Sequence, residues 1–165
     1  MGSRHNLDYA YIAGFLDGDG SLMLQLKLRS DSTQGVRFMA TICFYQDTRH
    51  EHPLLWMQEI LECGYLSRRR DGMTELRING FAKVRHVLTL LRPYIRFKQV
   101  QADALISVCA TLEAKFIRDL KPTELRQLAL IVLSFYLKHK VNQLSQFCRF
   151  QITNEFCFKS RTDAN

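Results

Sequence analysis

Two aspartates separated by one glycine follow an apolar segment near the start of the chain, in the stretch YIAGFLDGDGS that begins at Tyr11. The apolar segment predicts a helix from Asp8 to Leu16, and the glycines of DGDG would end it. Carboxylates at that end of a helix face the negative pole of the helix dipole, which costs roughly 0.3–1 kcal/mol unless something compensates. A divalent cation is one such compensation, so Asp17 and Asp19 are the first candidates for chemistry.

The DGDGS sequence also resembles the beginning of an EF-hand calcium loop. That loop requires glycine at its sixth position and glutamate at its twelfth. Counted from Asp17, these positions are Leu22 and Leu28, which are core-facing residues of a predicted strand. The EF-hand is therefore excluded, whereas a helix C-terminus that carries two incidental acids stays open as an interpretation.

Small residues recur at every fourth position along the predicted helix, at Ala10, Gly14 and Gly18. A glycine in a helix interior costs about 1 kcal/mol relative to alanine, so Gly14 indicates that another backbone packs closely against this face. Two such helices packed side by side would bring two copies of Asp19 together at their C-terminal ends. Divalent cations bound there would relieve the repulsion between the carboxylates and would suit metal-assisted phosphodiester hydrolysis.

The composition is that of a globular, basic protein. The 165 residues are 47% hydrophobic and 24% charged, the net charge is +7 and the pI is about 9.3, so we expect a single domain over residues 1–165 and a polyanionic partner, of which nucleic acid fits best. The cysteines number five, and without a CxxC pair they argue against a zinc knuckle or a disulfide framework and for a reducing compartment. The sequence has neither a signal peptide nor an apolar run of the ~20 residues that a membrane span needs, which predicts an intracellular protein without a membrane partner.

Hydrophobic periodicity predicts an α+β fold with one antiparallel sheet. After the first helix, strands with a period of two are predicted over residues 21–29 and 37–45, and a second hairpin is predicted around Asp71-Gly72. Helical spacing predicts a further helix over residues 51–62 and another that begins at residue 81 and is ended by Pro93. Ala104 to Leu112 and the segment from Pro122 to about Lys140 are also helical in pattern, whereas the tail after residue 145 has no clear assignment.

The side chains of the predicted strands that point away from the core have an unusual composition. An ordinary solvated face is dominated by lysine and glutamate, but here arginine, glutamine and threonine are mixed with methionine and cysteine. Arginine and glutamine pair bidentately with guanine and adenine edges, and a two-stranded ribbon fits the major groove of DNA. The predicted base-reading face consists of Ser21, Met23, Gln25, Lys27, Arg29, Arg37, Met39, Thr41, Cys43, Ser67, Arg69, Glu75 and Arg77.

The stretch IAGFLDGDG, residues 12–20, resembles the signature of the LAGLIDADG homing endonucleases. The predicted order of elements is similar to the αββαββα core of that family over roughly residues 8–112, and residues 113–165 would form a helical C-terminal extension. The segments FYQDT and LRPYIRFKQVQAD resemble the single-motif branch that is associated with organellar group I introns. Because this chain has one copy of the motif, the resemblance implies a homodimer.

The resemblance also implies roles for individual residues. Asp19 would be the metal-binding acid, with the Gly18 carbonyl as a further ligand, and Asp17 is expected to support the helix end. Gln46 would order water near the scissile phosphate, and Lys98 would stabilise charge on the phosphate or tune the attacking water. At a position where the homodimeric branch often has another basic residue this chain has His50, so either His50 or Arg49 would fill that role. The implied dimer interface comprises Ala10, Ala13, Gly14, Asp17 and Gly18.

The function that the resemblance implies is intron homing by a sequence-specific DNA endonuclease. Such an enzyme would cut both strands of a long pseudo-palindromic site across the minor groove and leave 3′ overhangs. Its cofactor would be Mg²⁺, with Mn²⁺ as a substitute and Ca²⁺ binding without supporting cleavage. An RNA-binding intron maturase and a non-cutting DNA-binding module are the alternatives, and a chloroplast or mitochondrial location is expected, with a bacterial origin open.

Overall fold

The computed structural model describes residues 2–28 and 36–115, and beyond them residues 119–121, 123–124, 126–128, 130–131 and 134. The predicted α+β class and the αββαββα order are confirmed. The elements are α1 (Gly2–Asp19), β1 (Gly20–Leu28), β2 (Val36–Asp47), a 3₁₀ turn (Thr48–His50), α2 (His52–Leu61), β3 (Tyr65–Arg68), β4 (Met73–Asn79), α3 (Phe81–Leu91) and α4 (Gln99–Ala114).

The strands form one antiparallel four-stranded sheet in the order β1-β2-β4-β3. Because side chains alternate across a strand, one face of this sheet carries the apolar residues that the sequence predicts to be buried, such as Leu24, Ile42 and Ile78. The helices cover that face, and their apolar residues complete a single core. The other face is left for polar side chains.

Helix α1 extends beyond its predicted bounds in both directions. It begins at Gly2 instead of at the predicted Asp8, and it continues through Gly18 to Asp19. Gly18 does not end the helix, and a Cβ at this position would meet no atom within 4 Å in the described protomer. Gly20 is the residue that the abrupt change from helix to strand requires, since a Cβ there would lie 2.7 Å from Leu16 Cα and 2.9 Å from Leu16 O.

The second half of the chain follows the sequence pattern closely. Gly72 has a φ of 82° and closes the predicted hairpin between β3 and β4. Helix α3 ends at Leu91, two residues before Pro93 and earlier than predicted. The described residues between 123 and 134 are helical, as predicted for this part of the extension, whereas the tail from residue 135 lies outside the described residues. In the part of the chain that is described, no helix is long and apolar enough to cross a membrane.

Substitution Gly20→Ala should lower the free energy of unfolding by about 1–3 kcal/mol, the usual cost of overpacking, because the new methyl group meets the backbone of Leu16. Ser107→Ala, at an exposed position of α4, is the control and should stay within about 0.5 kcal/mol of the wild type. Urea unfolding of both variants and the wild type at one protein concentration measures the difference. Equal stability of Gly20→Ala and wild type would contradict the close approach.

Candidate functional site

The C-terminal end of α1 is capped by the side chain of Lys98. A helix leaves its last carbonyl groups without partners inside the helix, and the Lys98 Nζ donates to three carbonyl oxygens at this end. They belong to Leu16 at 2.6 Å, Asp17 at 2.9 Å and Gly20 at 2.9 Å. A positive charge is favourable at this pole of the helix dipole. Lys98 therefore offsets the negative charge of the two aspartates and of the dipole at this end of the helix.

The carboxylate of Asp17 binds the backbone that leads into α4. It accepts hydrogen bonds from the N–H groups of Arg96 at 2.6 Å, Phe97 at 3.1 Å and Lys98 at 3.0 Å. Lys98 immediately precedes α4, where free N–H groups and the positive pole of a helix favour an anion. Asp17 therefore supports the α1 terminus as expected, but it does so by binding the neighbouring helix start rather than by capping its own helix.

Lys98 is half-buried at this junction, and its charge is influenced from two directions. Burial lowers the pKa of its ammonium group, because desolvation disfavours the charged form, and the nearby carboxylates of Asp17 and Asp19 oppose that effect. The two carboxylates therefore favour the charged form of Lys98.

Asp19 is exposed at the end of α1, next to the exposed Gly18. Within the described part of the chain its carboxylate has neither a hydrogen-bond nor an ion-pair partner, and the described residues contain no group of three or more His, Cys, Asp or Glu side chains that could hold a metal ion. A carboxylate and a backbone carbonyl suit Mg²⁺, which binds one or two carboxylates together with waters and substrate phosphates. One protomer therefore offers part of a ligand set, which water, a phosphate group or a second copy would complete.

Gln46 lies near the end of β2, two residues beyond Phe44, which pairs with Gly20. That spacing places its backbone about 7 Å along the strand from the helix-to-strand junction. The Gln46 Oε1 accepts a hydrogen bond from the N–H of Asp47 at 2.9 Å. The register therefore brings Gln46 to the same end of the sheet as Asp19.

Of the two basic candidates that follow β2, Arg49 already has a partner. Its Nε and Nη2 donate to the Asp47 carboxylate at 3.0 and 2.8 Å, and its N–H donates to the same group at 2.8 Å. These bonds hold the pKa of Asp47 well below its usual range. His50 is exposed at the end of the 3₁₀ turn. Arg49 would have to leave its ion pair with Asp47 before it could reach a phosphate.

Most of the predicted base-reading side chains lie on the sheet face that the helices leave uncovered. The register aligns β1, β2, β4 and β3 so that their odd-numbered residues share this face. Lys27 pairs with Arg37 in the backbone register, and Arg29 lies outside the described residues. The side chains described there as exposed or partly exposed are Ser21, Met23, Gln25, Arg37, Met39, Ser67, Arg69 and Arg77.

The prediction that Thr41, Cys43 and Glu75 are also solvent-facing is wrong. Their exposed fractions are 5%, 0% and 6%, and each contacts a longer polar side chain of the same sheet face or its edge. Thr41 donates to Asn79 Oδ1 at 2.8 Å, and Cys43 Sγ accepts from Arg77 Nε at 3.4 Å. Alternation assigns a side chain to a face, but it does not indicate whether a neighbour lies over it.

Glu75 links the two arginines of this face. Its Oε1 accepts from Arg69 Nη1 at 3.0 Å, and its Oε2 lies 3.0 Å from Arg77 Nε. Arg69 is held from its other side by Asp71 at 2.6 Å. The hydrogen bond to Cys43, together with the nearby Glu75, raises the pKa of Arg77. Both guanidinium groups therefore have a fixed orientation before any ligand binds.

Sequence reasoning missed Tyr45, Tyr65 and Asn79, which the register places on the same face. Asn79 Nδ2 donates to Tyr65 Oη at 3.1 Å. Tyr45 interacts with Ser21, and burial is the main cause that raises the pKa of its hydroxyl. The signal was available, because the period of two continues to residues 45, 65 and 79.

Three of the five predicted interface residues form an exposed stripe on α1, whereas Ala13 and Asp17 lie on other sides of the helix, and the Asp17 carboxylate binds the segment before α4. Ala10 is partly exposed and Gly14 and Gly18 are exposed, and a Cβ at either glycine would meet no atom within 4 Å in the described protomer. Ala13 is fully buried in the core, so its prediction as an interface residue is wrong, since it lies on the helix face that packs on the sheet. Two apolar side chains extend the stripe, Leu7 at 70% and Tyr11 at 58% exposure.

Comparison with known proteins identifies the family. The model of the LAGLIDADG endonuclease family matches residues 12–105, which include the α1 terminus, the whole sheet and Lys98. The chain belongs to the LAGLIDADG endonuclease family. The resemblance of residues 12–20 to its signature is thereby confirmed.

Two curated relatives of this LAGLIDADG protein are DNA endonucleases by name. It is 32% identical to DNA endonuclease I-CvuI of Chlorella vulgaris over 106 residues, 64% of this chain and 66% of the relative. It is 26% identical to DNA endonuclease I-CreI of Chlamydomonas reinhardtii over 113 residues, 68% of this chain and 69% of the relative. The aligned region thus spans about two thirds of the length of these relatives.

Solved structures show the same fold. I-CvuI in complex with its target in the presence of calcium superposes with a TM-score of 0.74 at 30% identity, covering 81% of this chain and 82% of I-CvuI. A second I-CvuI structure contains the I-CreI target and magnesium, and its DNA is not cleaved. The homing endonuclease I-TnaI superposes with a TM-score of 0.67 at 18% identity, and the match covers 76% of this chain and 86% of I-TnaI. At this identity the match is evidence for the fold and for nothing further.

Substitution Glu75→Gln should free at least one of the two arginines, because the amide retains only one oxygen where two now serve Arg69 and Arg77. The ¹⁵N relaxation of the arginine side chains should show increased motion for Arg69, Arg77 or both. Arg49, whose partner is Asp47, is the internal control and should not change. Unchanged order at both arginines would contradict the role of Glu75.

Proposed function

We propose that this protein is a homodimeric, divalent-metal-dependent DNA endonuclease that cuts both strands of a long pseudo-palindromic site. The observation that carries the proposal is the exposed Asp19 carboxylate, which has no hydrogen-bond or ion-pair partner in the described chain and lies at a helix end where Asp17 and Lys98 are both engaged. That carboxylate and the uncovered polar sheet face belong to one compact protomer. A metal-dependent nuclease needs both of these features, a site for the cation and a surface for the nucleic acid.

At the reaction centre, Asp19 and the Gly18 carbonyl would hold Mg²⁺. When bound, the metal lowers the pKa of a coordinated water and stabilises charge that develops on the phosphate. Gln46, at the same end of the sheet, would order the attacking water, and either His50 or Arg49 would supply further positive charge. Cleavage across the minor groove would leave 3′ overhangs.

The uncovered sheet face would read the DNA in the major groove. Arg69 and Arg77 have the fork geometry that pairs with guanine, and Glu75 fixes the direction of both forks. Because Thr41, Cys43 and Glu75 are buried, they are not part of the proposed contact surface. That surface comprises Ser21, Met23, Gln25, Lys27, Arg29, Arg37, Met39, Ser67, Arg69 and Arg77, of which Arg29 and the side chain of Lys27 rest on the sequence pattern.

The relatives support the choice of partner and metal. I-CvuI structures contain DNA together with calcium or magnesium, in agreement with the expected use of Mg²⁺ and binding of Ca²⁺. The substitution of Mn²⁺ for Mg²⁺ stays a prediction. The role in homing of a group I intron within a chloroplast or mitochondrion also stays a prediction, because the names of the relatives give an organism but no intron or compartment.

Substitution Asp19→Asn should abolish cleavage while target binding persists, because the amide keeps the shape of the side chain and loses the charge that holds the metal. The target duplex is first selected from a randomised library by cleavage with the wild-type protein in Mg²⁺. Cleavage by the variant and by wild type plus EDTA is then measured, together with the affinity of each for the duplex.

Asp103→Asn is the matched control for Asp19→Asn, since Asp103 lies on α4 and pairs with Arg92 away from the proposed site. It should cleave at the wild-type rate. Retained cleavage by Asp19→Asn would contradict the role of Asp19. Binding of structured RNA without cleavage of any duplex would favour an intron maturase instead.

Substitution Gly14→Leu should convert the dimer into a folded monomer, because a large side chain in the exposed stripe prevents close approach of a second α1. Gly14 is exposed, and a Cβ there meets no atom within 4 Å in the described protomer. Sedimentation velocity measures the oligomeric state, and circular dichroism checks the fold. Ala110→Leu, at an exposed small residue of α4, is the control and should stay dimeric; a dimeric Gly14→Leu would contradict the proposed interface.

A further inference from the structure

We infer that Lys98 and Asp17 form a clamp that positions the metal-binding turn at Gly18 and Asp19, and that Lys98 affects the reaction through this turn instead of donating to the substrate. The inference rests on the proposed function for the identity of the turn. It assigns Lys98 a different action from the one that the family resemblance implies, and it makes Asp17 a positioning residue.

The hydrogen-bonding capacity of Lys98 carries the inference. An ammonium group has three N–H donors and no acceptor. All three find carbonyl oxygens, those of Leu16, Asp17 and Gly20, at 2.6–2.9 Å. A hydrogen bond from this group to a phosphate or a water molecule would require Lys98 to give up one of these three bonds in a half-buried position, which is unfavourable.

The positions of the three carbonyls show what the ammonium group holds. Leu16 and Asp17 precede Gly18 and Asp19, and Gly20 follows them. The Lys98 side chain therefore fixes the backbone on both sides of the proposed metal ligands. Because the Gly18 carbonyl and the Asp19 side chain depend on that backbone for their direction, the ammonium group determines where they point.

Asp17 completes the clamp from the opposite direction. Its carboxylate binds the N–H groups of Arg96, Phe97 and Lys98, so it fixes the backbone from which the Lys98 side chain extends. Each residue thus binds the backbone of the other's segment. The C-terminal end of α1 and the N-terminal end of α4 meet through these bonds. With all of them formed, the Lys98 ammonium group has no N–H left to donate to a ligand.

This clamp predicts a defect of a particular kind when it is broken. Residues that orient metal ligands typically change metal affinity about 10- to 100-fold when they are removed. A loss of orientation should therefore appear as weaker binding of the cation, and a high concentration of Mg²⁺ should restore most of the cleavage rate. A lysine that bonded the phosphate directly would leave cation affinity unchanged, and Mg²⁺ would not restore the rate.

The test uses the full-length dimer on its selected target duplex. In Lys98→Met, which keeps the length of the side chain and removes its donors, calorimetry with Ca²⁺ should show affinity lowered about 10-fold or more. Single-turnover cleavage should need correspondingly more Mg²⁺ and approach the wild-type rate at saturation. Unchanged Ca²⁺ affinity, together with a cleavage defect that Mg²⁺ does not relieve, overturns the inference.

Asp17→Asn provides the second variant and a measurement without DNA. Hydrogen exchange of the free protein should show faster exchange at the amides of Arg96, Phe97 and Lys98, and Ca²⁺ affinity on the duplex should fall as in Lys98→Met. The double variant should be no worse than either single variant, because both break one clamp. Additive losses, or unchanged exchange at the three amides, overturn the inference.

Asp103→Asn controls for general loosening of the α3–α4 connection, since it breaks the Arg92–Asp103 pair without contacting α1, and Ca²⁺ affinity should be unchanged. Failure of the proposed function gives a different result. In that case the wild type itself cleaves no duplex in Mg²⁺, while hydrogen exchange of Asp17→Asn still reports whether the clamp exists in the free protein.

Discussion

The meeting of two helix ends at Asp17 and Lys98 is the interaction on which the candidate site depends. The C-terminal end of α1 carries two acids against an unfavourable dipole, and the segment that leads into α4 offers backbone N–H groups to an anion. Asp17 binds those N–H groups while the ammonium of Lys98 binds the carbonyls of α1. Opposite helix poles therefore neutralise each other, which leaves Asp19 as the acid that is free to bind a cation.

A similar logic applies to the uncovered sheet face, where charges are paired before a ligand is present. Glu75 and Asp71 balance Arg69 and Arg77, so this cluster adds little net charge that would attract phosphates at long range. Fixed arginine forks lose less conformational entropy when they bind, which favours selection among base sequences over general affinity. The excess positive charge of the protein is then carried by other residues.

Local patterns in the sequence were sufficient for most of the fold. A period of two located the strands, and the Asp71-Gly72 pair located the second hairpin, because both signals depend on residues that are close in sequence. The end of α1 was predicted only in part. The sequence predicts that Gly18 and Gly20 together end the helix, but the helix continues through Gly18, and Gly20 begins the strand where a Cβ would meet the backbone of Leu16.

The candidate site likewise has a part that local sequence patterns predict and a part that they do not. Asp19 could be identified from its motif, whereas the partners of Asp17 lie about 80 residues away in sequence and no local pattern indicates them. The burial of Cys43 depends on where the Arg77 side chain lies across two strands, and alternation does not encode that. Contacts between distant side chains were thus the part that required the structure.

The central claim is that Lys98 keeps its three backbone partners while the protein acts on DNA. A crystal structure of the dimer on its selected target with Ca²⁺ measures this directly. We expect the Lys98 Nζ to remain within hydrogen-bond distance of the carbonyls of Leu16, Asp17 and Gly20, with the cation on Asp19. A Lys98 Nζ that has left these carbonyls and donates to the scissile phosphate would contradict the account.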